Sequence, residues 1–266
     1  MMIFYARKET MKTVHSFAKY AFVFFLGAIM GSCITYFVCK YGEEAFSFVS
    51  QYCSGISEAE YDSGEVIVDG EYQGIDVSHH QGEISWDKVA LNNNIQFVYI
   101  KATEGATGQD RRYEENVRGA KANGLLIGSY HYLRNTSSIR EQFTNFRNFA
   151  KKENQDLIPM VDVEEKVEKD SILLFCNLLK EYYGRRPIIY GTNRSYNQYC
   201  SPDFNDYYLM IGRYGNKPPV ITGKGHYNIW QYSEKGRIEG IPKLVDLDRF
   251  HPDFNLSKLK LCSDND

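Results

Sequence analysis

The sequence lacks any excess of charge: 31 Lys and Arg stand against 34 Asp and Glu, a formal net charge of −3. A chain that gripped phosphate backbones would need a basic surplus or a basic face, so no nucleic-acid partner is expected. Paired cysteines are missing as well. Six cysteines occur, but none with the C-x-x-C spacing of a zinc site, and Cys33 and Cys39 fall inside an apolar stretch. Cys176, Cys200 and Cys262 are scattered; buried or free thiols are expected, with one bridge among these three as the alternative in an exported domain. No G-x-S-x-G elbow and no glycine-rich phosphate loop opens a helix, which removes support for serine hydrolases and nucleotide enzymes. No repeat of fixed period appears, against a solenoid or propeller. Tryptophan is rare, with 2 residues beside 21 Tyr and 16 Phe. Tyrosine offers a flat apolar face with a polar tip, which suits sugar contact and a barrel core alike. With 43% hydrophobic residues over 266 positions, the chain has material for a full core.

What is present begins with an address. From Tyr20 to Val38 no side chain is charged, and the run is almost wholly apolar. About 20 such residues at a 1.5 Å rise span a hydrocarbon core of roughly 30 Å. A cleaved signal would be shorter and end at small residues followed by polar chain, whereas here the apolar character continues past Gly31-Ser32-Cys33. An uncleaved anchor is therefore expected, with lipidation of Cys33 in the lipobox-like Met30-Gly31-Ser32-Cys33 as the lesser alternative. Arg7, Lys8, Lys12 and Lys19 precede the span, while Glu43 and Glu44 follow close behind Lys40. The positive-inside rule then makes 1–19 cytoplasmic and 20–38 the transmembrane helix, and exports the rest to the cell envelope. Residues 39–73 read as an acidic tether, and 74–266 as the folded domain.

In that domain short β-rich runs alternate with amphipathic helices, the pattern of βα units around a parallel sheet. Strands are expected at 74–77, 97–102, 126–132, 158–163 and 187–190. Ser138-Ile139-Arg140-Glu141 reads as a capping box for a helix carrying Phe143, Phe146 and Ala150. Ile172, Phe175, Cys176, Leu179 and Tyr182 repeat at helical spacing up to Gly184, and Gly124 closes a helix bearing Tyr113, Val117 and Ala120. Past the fifth strand, runs at 208–211, 227–231 and 244–250 are joined by Gly and Pro rather than by long helical stripes. The expected class is therefore α/β: an irregular TIM-like barrel of eight strands, preceded by one N-terminal transmembrane helix.

Carboxylates gather at the strand ends, where a βα barrel carries its chemistry. Asp76 closes the first strand, Glu104 follows Lys101 on the second, Asp162 and Glu164 end the fourth, and Asp246 and Asp248 lie on the last. Acids among β-branched neighbours are costly to bury unless paired or used. One such residue could be a cap; several meeting at one mouth point to catalysis. Asp162 and Glu164, at i and i+2 on a strand, share a face with Cα atoms roughly 6.5–7 Å apart. Such a pair suits glycoside hydrolysis, and repulsion from Asp76 and Asp246 would raise whichever must stay protonated. Glu165 falls on the opposite face or in the loop. His79, His80 and His131 could join a metal site, but adjacent histidines in an extended chain point opposite ways, and no metal or cofactor is expected.

These strand ends resemble glycoside hydrolase family 25, the Chalaropsis-type lysozymes, over roughly Gln73 to Phe254. GIDVSHHQGEISW (74–86), FVYIKATEG (97–105), GSYHYL (128–133), MVDVEE (160–165), IWQYS (229–233) and VDLDRF (245–250) follow the family's order. The resemblance implies a flattened barrel of eight strands and about five helices, and an N-acetylmuramidase cleaving the β-1,4 bond from N-acetylmuramic acid to N-acetylglucosamine in peptidoglycan. It implies Glu164 as general acid and Asp162 as the partner carboxylate, with Asp76 and Asp246 as further active-site acids. Tyr132, Tyr190 and Trp230 are expected sugar contacts; Glu104 and Lys101 belong to a matching motif. Gly212 stands where the family often has Ala. The alternatives are a non-catalytic peptidoglycan-binding module, which could lose the acid pair, and a membrane-anchored scaffold, which would need no acids at strand ends. A monomer is expected.

Overall fold

The computed structural model describes residues 72–261. The expected span Tyr20–Val38, nearly all of the tether, and Cys33, Cys39, Cys53 and Cys262 lie outside these residues. Among the described residues no helix is long and apolar enough to cross a membrane. Cys176 and Cys200 are buried free thiols.

Eight strands close a barrel. Strand β1 (Gly74–Val77) pairs in parallel with β2 (Phe97–Glu104), and β2 with β4 (Leu126–Tyr132). The parallel run continues through β5 (Met160–Asp162), β6 (Ile188–Thr192), β7 (Leu209–Gly212) and β8 (Ile229–Gly236). Strand β9 (Val245–Phe250) then returns antiparallel to both β8 and β1 and seals the ring. The link from β8 to β9 is too short for the crossover that a parallel neighbour needs, so the last pair is a hairpin. Strand β3 (Gly108–Gln109) is a two-residue flap on β2. Five α-helices accompany the strands: α1 (Trp86–Val89), α2 (Tyr113–Ala122), α3 (Ile139–Phe149), α4 (Lys169–Tyr183) and α5 (Asn193–Tyr199). The eight-strand barrel with about five helices is as expected; α1 and α5 are single short helices without a periodic stripe.

Helix α4 shows how the sequence sets these elements. Ile172, Phe175, Cys176, Leu179 and Tyr183 recur on one face and are all buried, and Gly184 ends the helix in the left-handed region at φ 86°. Each fully buried side chain of this size contributes about 1.5–3 kcal/mol from burial. Helix α3 departs from expectation. Ser138 is its N-cap, but the Ser138 side chain makes no capping bond, so the capping box does not form. The buried Gln142 serves the loop instead, donating to the carbonyls of Arg134 and Ser137. Its carbonyl accepts from Arg134 N–H and faces His131 Nε2 at 3.0 Å. Thr103 Oγ1 holds the other His131 ring nitrogen at 2.7 Å. Burial pushes that imidazole down to about 4, so His131 is a neutral, doubly tied residue between barrel and helices.

Candidate active site

Alternation along the strands decides which side chains enter the barrel. Asp76 on β1 is in register with Tyr99 on β2 and with Asp246 on β9, and Tyr132 on β4 with Asp162 on β5. Partners in register share a face. A cavity of about 200 Å³ opens at the mouth, lined by Asp76, Asp162, Glu164 and Asp246 together with Tyr130, Tyr190, Tyr214, Gln231, Met160 and the turn carrying Ser78, His80 and Gln81. The four acids inferred from the sequence therefore meet at one place. Asp246 arrives there from the start of an antiparallel strand, not from a strand's C-terminal end. Strand β5 stops at Asp162, so Glu164 stands in the following loop and still reaches the same cavity.

Burial and mutual repulsion shape the acids. Asp162 is buried, its Oδ1 has no protein partner, and desolvation followed by the charge of Glu164 raises its pKa well above the usual carboxylate range. Glu164 is also raised, by desolvation, and the nearby Lys101 ammonium works against that rise. Burial pushes Asp76 up to about 6, the Gln231 hydrogen bond opposing it and Glu164 adding to it. Asp246 is pushed up to about 9 by burial, then by Asp76 and Glu234. Two carboxyls coupled in this way titrate as a pair, and Asp162 with Glu164 is shifted toward holding a proton. A proton donor and an acceptor thus face one solvent-open cavity.

The remaining expected residues divide. Tyr190 lines the cavity, with its hydroxyl on Gln231. Tyr132 stands beside Asp162 at the rim, its ring under Arg134 and Lys101 at 4.7 and 5.2 Å. Glu104 and Lys101 do not line the cavity. They pair with each other at 2.7 Å, and Glu104 also takes Arg134. Arg134 continues to Glu165, which also accepts the Asn135 N–H, so Glu165 ties the β4 and β5 loops together. Trp230 is not at the mouth. It lies between inward Ile229 and Gln231, donates its indole N–H to the Arg213 carbonyl at 2.6 Å, and packs under Arg249. Its place is the outer wall.

The two adjacent histidines also differ from expectation. They sit in a 3-10 turn, not an extended chain, with ring centroids 4.0 Å apart. His79 is held by Asp110 at 2.7 Å, which leaves His80 on the cavity edge. Among the described residues no three His, Cys, Asp or Glu groups are arranged to hold a metal ion. Sequence reasoning missed Tyr130, Tyr214 and Gln231, and weighed His80 only as a metal ligand. Tyr130 and Gln231 were reachable by strand parity; Tyr214 follows β7 in a loop and carries no periodic signal.

Below Asp76 lies an acid with no evident task. Asp248 faces Gly74 and Gln231 across the ladder, is fully buried, and neither carboxyl oxygen has a protein partner. Burial, then Asp76 and Asp246, raise its pKa well above the usual range. The native carboxyl therefore stays protonated while the unfolded one ionises above about pH 4, so stability falls as pH rises from there toward the native pKa. Asp248→Asn cannot ionise and removes that fall. The variant is expected to gain on wild type steadily from pH 4 to pH 8 in thermal melts. A difference independent of pH would contradict a neutral Asp248.

Comparison with known proteins gives the same picture. The sequence pattern of glycosyl hydrolases family 25 matches residues 75–241. The chain is 31% identical over 188 residues to the uncharacterized protein YegX of Escherichia coli strain K12, covering 67% of this chain and 69% of that protein. It is 30% identical over 199 residues to Lysozyme M1 of Streptomyces globisporus, covering 67% of each. Among solved structures, the bacterial lysozyme from Streptomyces coelicolor superposes with a TM-score of 0.65 at 29% identity, over 74% of this chain and 99% of that one. A pattern that spans β1 to β8, on a barrel whose mouth collects the acids of β1, β5 and β9, leaves one assignment: the chain belongs to glycosyl hydrolases family 25.

Proposed function

We propose that the barrel is a peptidoglycan hydrolase, an N-acetylmuramidase that cleaves the β-1,4 bond between N-acetylmuramic acid and N-acetylglucosamine. The observation that carries this reading is the Asp162–Glu164 pair, both raised and both open to one cavity. The lysozymes it resembles supply the substrate class. Neither a binding module nor a scaffold needs two coupled acids held against solvent. All four acids come from one chain, which supports a monomer.

Glu164 protonates the departing glycosidic oxygen and then activates water. Asp162 ends β5 and Glu164 follows two residues later in the loop, so both carboxyls come from one short stretch of chain rather than from opposite sides of a sugar, as direct attack at about 5–5.5 Å requires. The substrate's 2-acetamido oxygen is the better placed nucleophile. Its N–H donates to the Asp162 carboxyl, which lines the cavity. That hydrogen bond favours the ionised form of Asp162 and leaves the shared proton to Glu164. Substrate binding thereby arms the acid. Incubation of the purified chain with purified cell walls should lower turbidity and release muropeptides; unchanged walls would remove the proposal.

The membrane anchor at Tyr20–Val38 is supported by its length and by the cations before it. It holds the barrel outside the cytoplasm, against the cell wall. Protease added to intact spheroplasts is expected to remove the barrel; protection until lysis would reverse this topology.

A further inference from the structure

Gln231 lies at the centre of the cavity wall. Its Nε2 donates to Asp76 Oδ2 at 2.7 Å, while its Oε1 accepts from Tyr190 Oη at 2.7 Å and faces Tyr214 Oη at 3.3 Å. An amide oxygen has two lone pairs, and two hydroxyls occupy them. The NH₂ end is then fixed toward Asp76 at a distance typical of charge-assisted bonds. Turning the amide over would set its oxygen against a carboxylate oxygen. The clamp has a steric condition: a Cβ at Gly212 would come within 2.8 Å of Tyr190 Oη and 3.0 Å of Gln231 Oε1. Any side chain at 212 would push the phenol and the amide apart.

Asp76 needs such a donor. Burial and the charge of Glu164 both oppose its ionisation, and Asp162, Asp246 and Asp248 are the other carboxyls around it. The phenols of Tyr130 on β4 and of Tyr214 after β7 complete its surroundings. We propose that Gln231 is a positioning residue for the hydrolysis, clamped by Tyr190 and Tyr214 so that it holds Asp76 as an oriented anion at the mouth, with Gly212 as the gap that admits the clamp. The inference rests on Asp76 belonging to the catalytic machinery.

The test uses the full chain and two variants, Gln231→Met and Gly212→Ala, with the Asp76 carboxyl followed by carbon NMR and assigned through Asp76→Asn. Losing the donor should move the Asp76 titration and the acid limb of kcat/KM to higher pH together. For Gln231→Met the loss should be about tenfold at pH 5, as one pKa unit gives, and smaller at pH 7. Gly212→Ala should move both in the same direction by less, and it carries the test if Gln231→Met does not fold. An equal loss at every pH, with Asp76 titrating as in wild type, would make Gln231 merely structural and overturn the inference. A shifted Asp76 titration with an unshifted rate profile would leave the hydrogen bond standing and overturn the catalytic reading of Asp76 instead.

Discussion

Glu164→Gln should lower kcat on cell walls by on the order of 10²–10⁴, the usual loss when a positioned general acid is removed. Glutamine keeps the size of the side chain but has no proton to give to the leaving oxygen. Glu164 stands beyond the end of β5, outside any hydrogen-bond ladder, so the barrel should melt as wild type does. Glycan binding should survive as well, because the aromatic walls at Tyr130, Tyr190 and Tyr214 remain. Rate and affinity therefore separate: kcat falls while KM stays within a few-fold. Turnover near wild type would reject Glu164 as the acid. A lost fold would show up first in circular dichroism and would make the rate uninformative, so both are measured on one sample.

Asp162→Asn should have an effect of similar size through a different route. The account gives Asp162 two tasks, to hold the substrate acetamido N–H and to offset the positive charge of the cyclised intermediate. An amide can turn its oxygen to the N–H but carries no charge, so a loss of roughly 10²–10³ in kcat is expected, comparable with removing one preorganised electrostatic group. The pH profile should change too. Asp162 and Glu164 are coupled carboxyls, so a charge on one opposes ionisation of the other. Without it the acid loses its proton earlier, and the alkaline limb of kcat should move to lower pH. The stereochemistry follows from the same roles: two inversions at the anomeric carbon give net retention. Proton NMR of the first-formed sugar should show the β-anomer from the β-linked substrate. An α-anomer as first product would rule out acetamido participation, and a sugar trapped on Asp162 would transfer the nucleophile's role to the protein.

Much of the barrel was legible because its strands obey simple rules. A run such as Phe97–Ile100 is continuously apolar, as a strand covered on both faces must be, and Glu104 follows at its end. Asp76, Asp162 and Asp246 stand out for the same reason, being charges set among β-branched neighbours. What the residues did not show was the direction of the last strand and the side of one aromatic. The direction of β9 depends on the length of one loop, and composition gives no sign of it. The resemblance of the IWQYS run places Trp230 at the sugar, yet Gln231 next to it faces inward and parity sends the indole to the outer wall. The Ser138 box fits the sequence pattern, but a buried Gln142 took over the loop that the cap would have held. Tyr214 owes its place to the path of the chain after β7. Tertiary position won each of these over local pattern.

The central claim is that this cavity cuts peptidoglycan on the reducing side of N-acetylmuramic acid. Digestion of a defined peptidoglycan, reduction of the new ends with borohydride and mass analysis of the fragments test it most directly. The account predicts muramitol at every new end, with none from Glu164→Gln. New ends carrying glucosaminitol would make the enzyme a glucosaminidase and contradict the assignment.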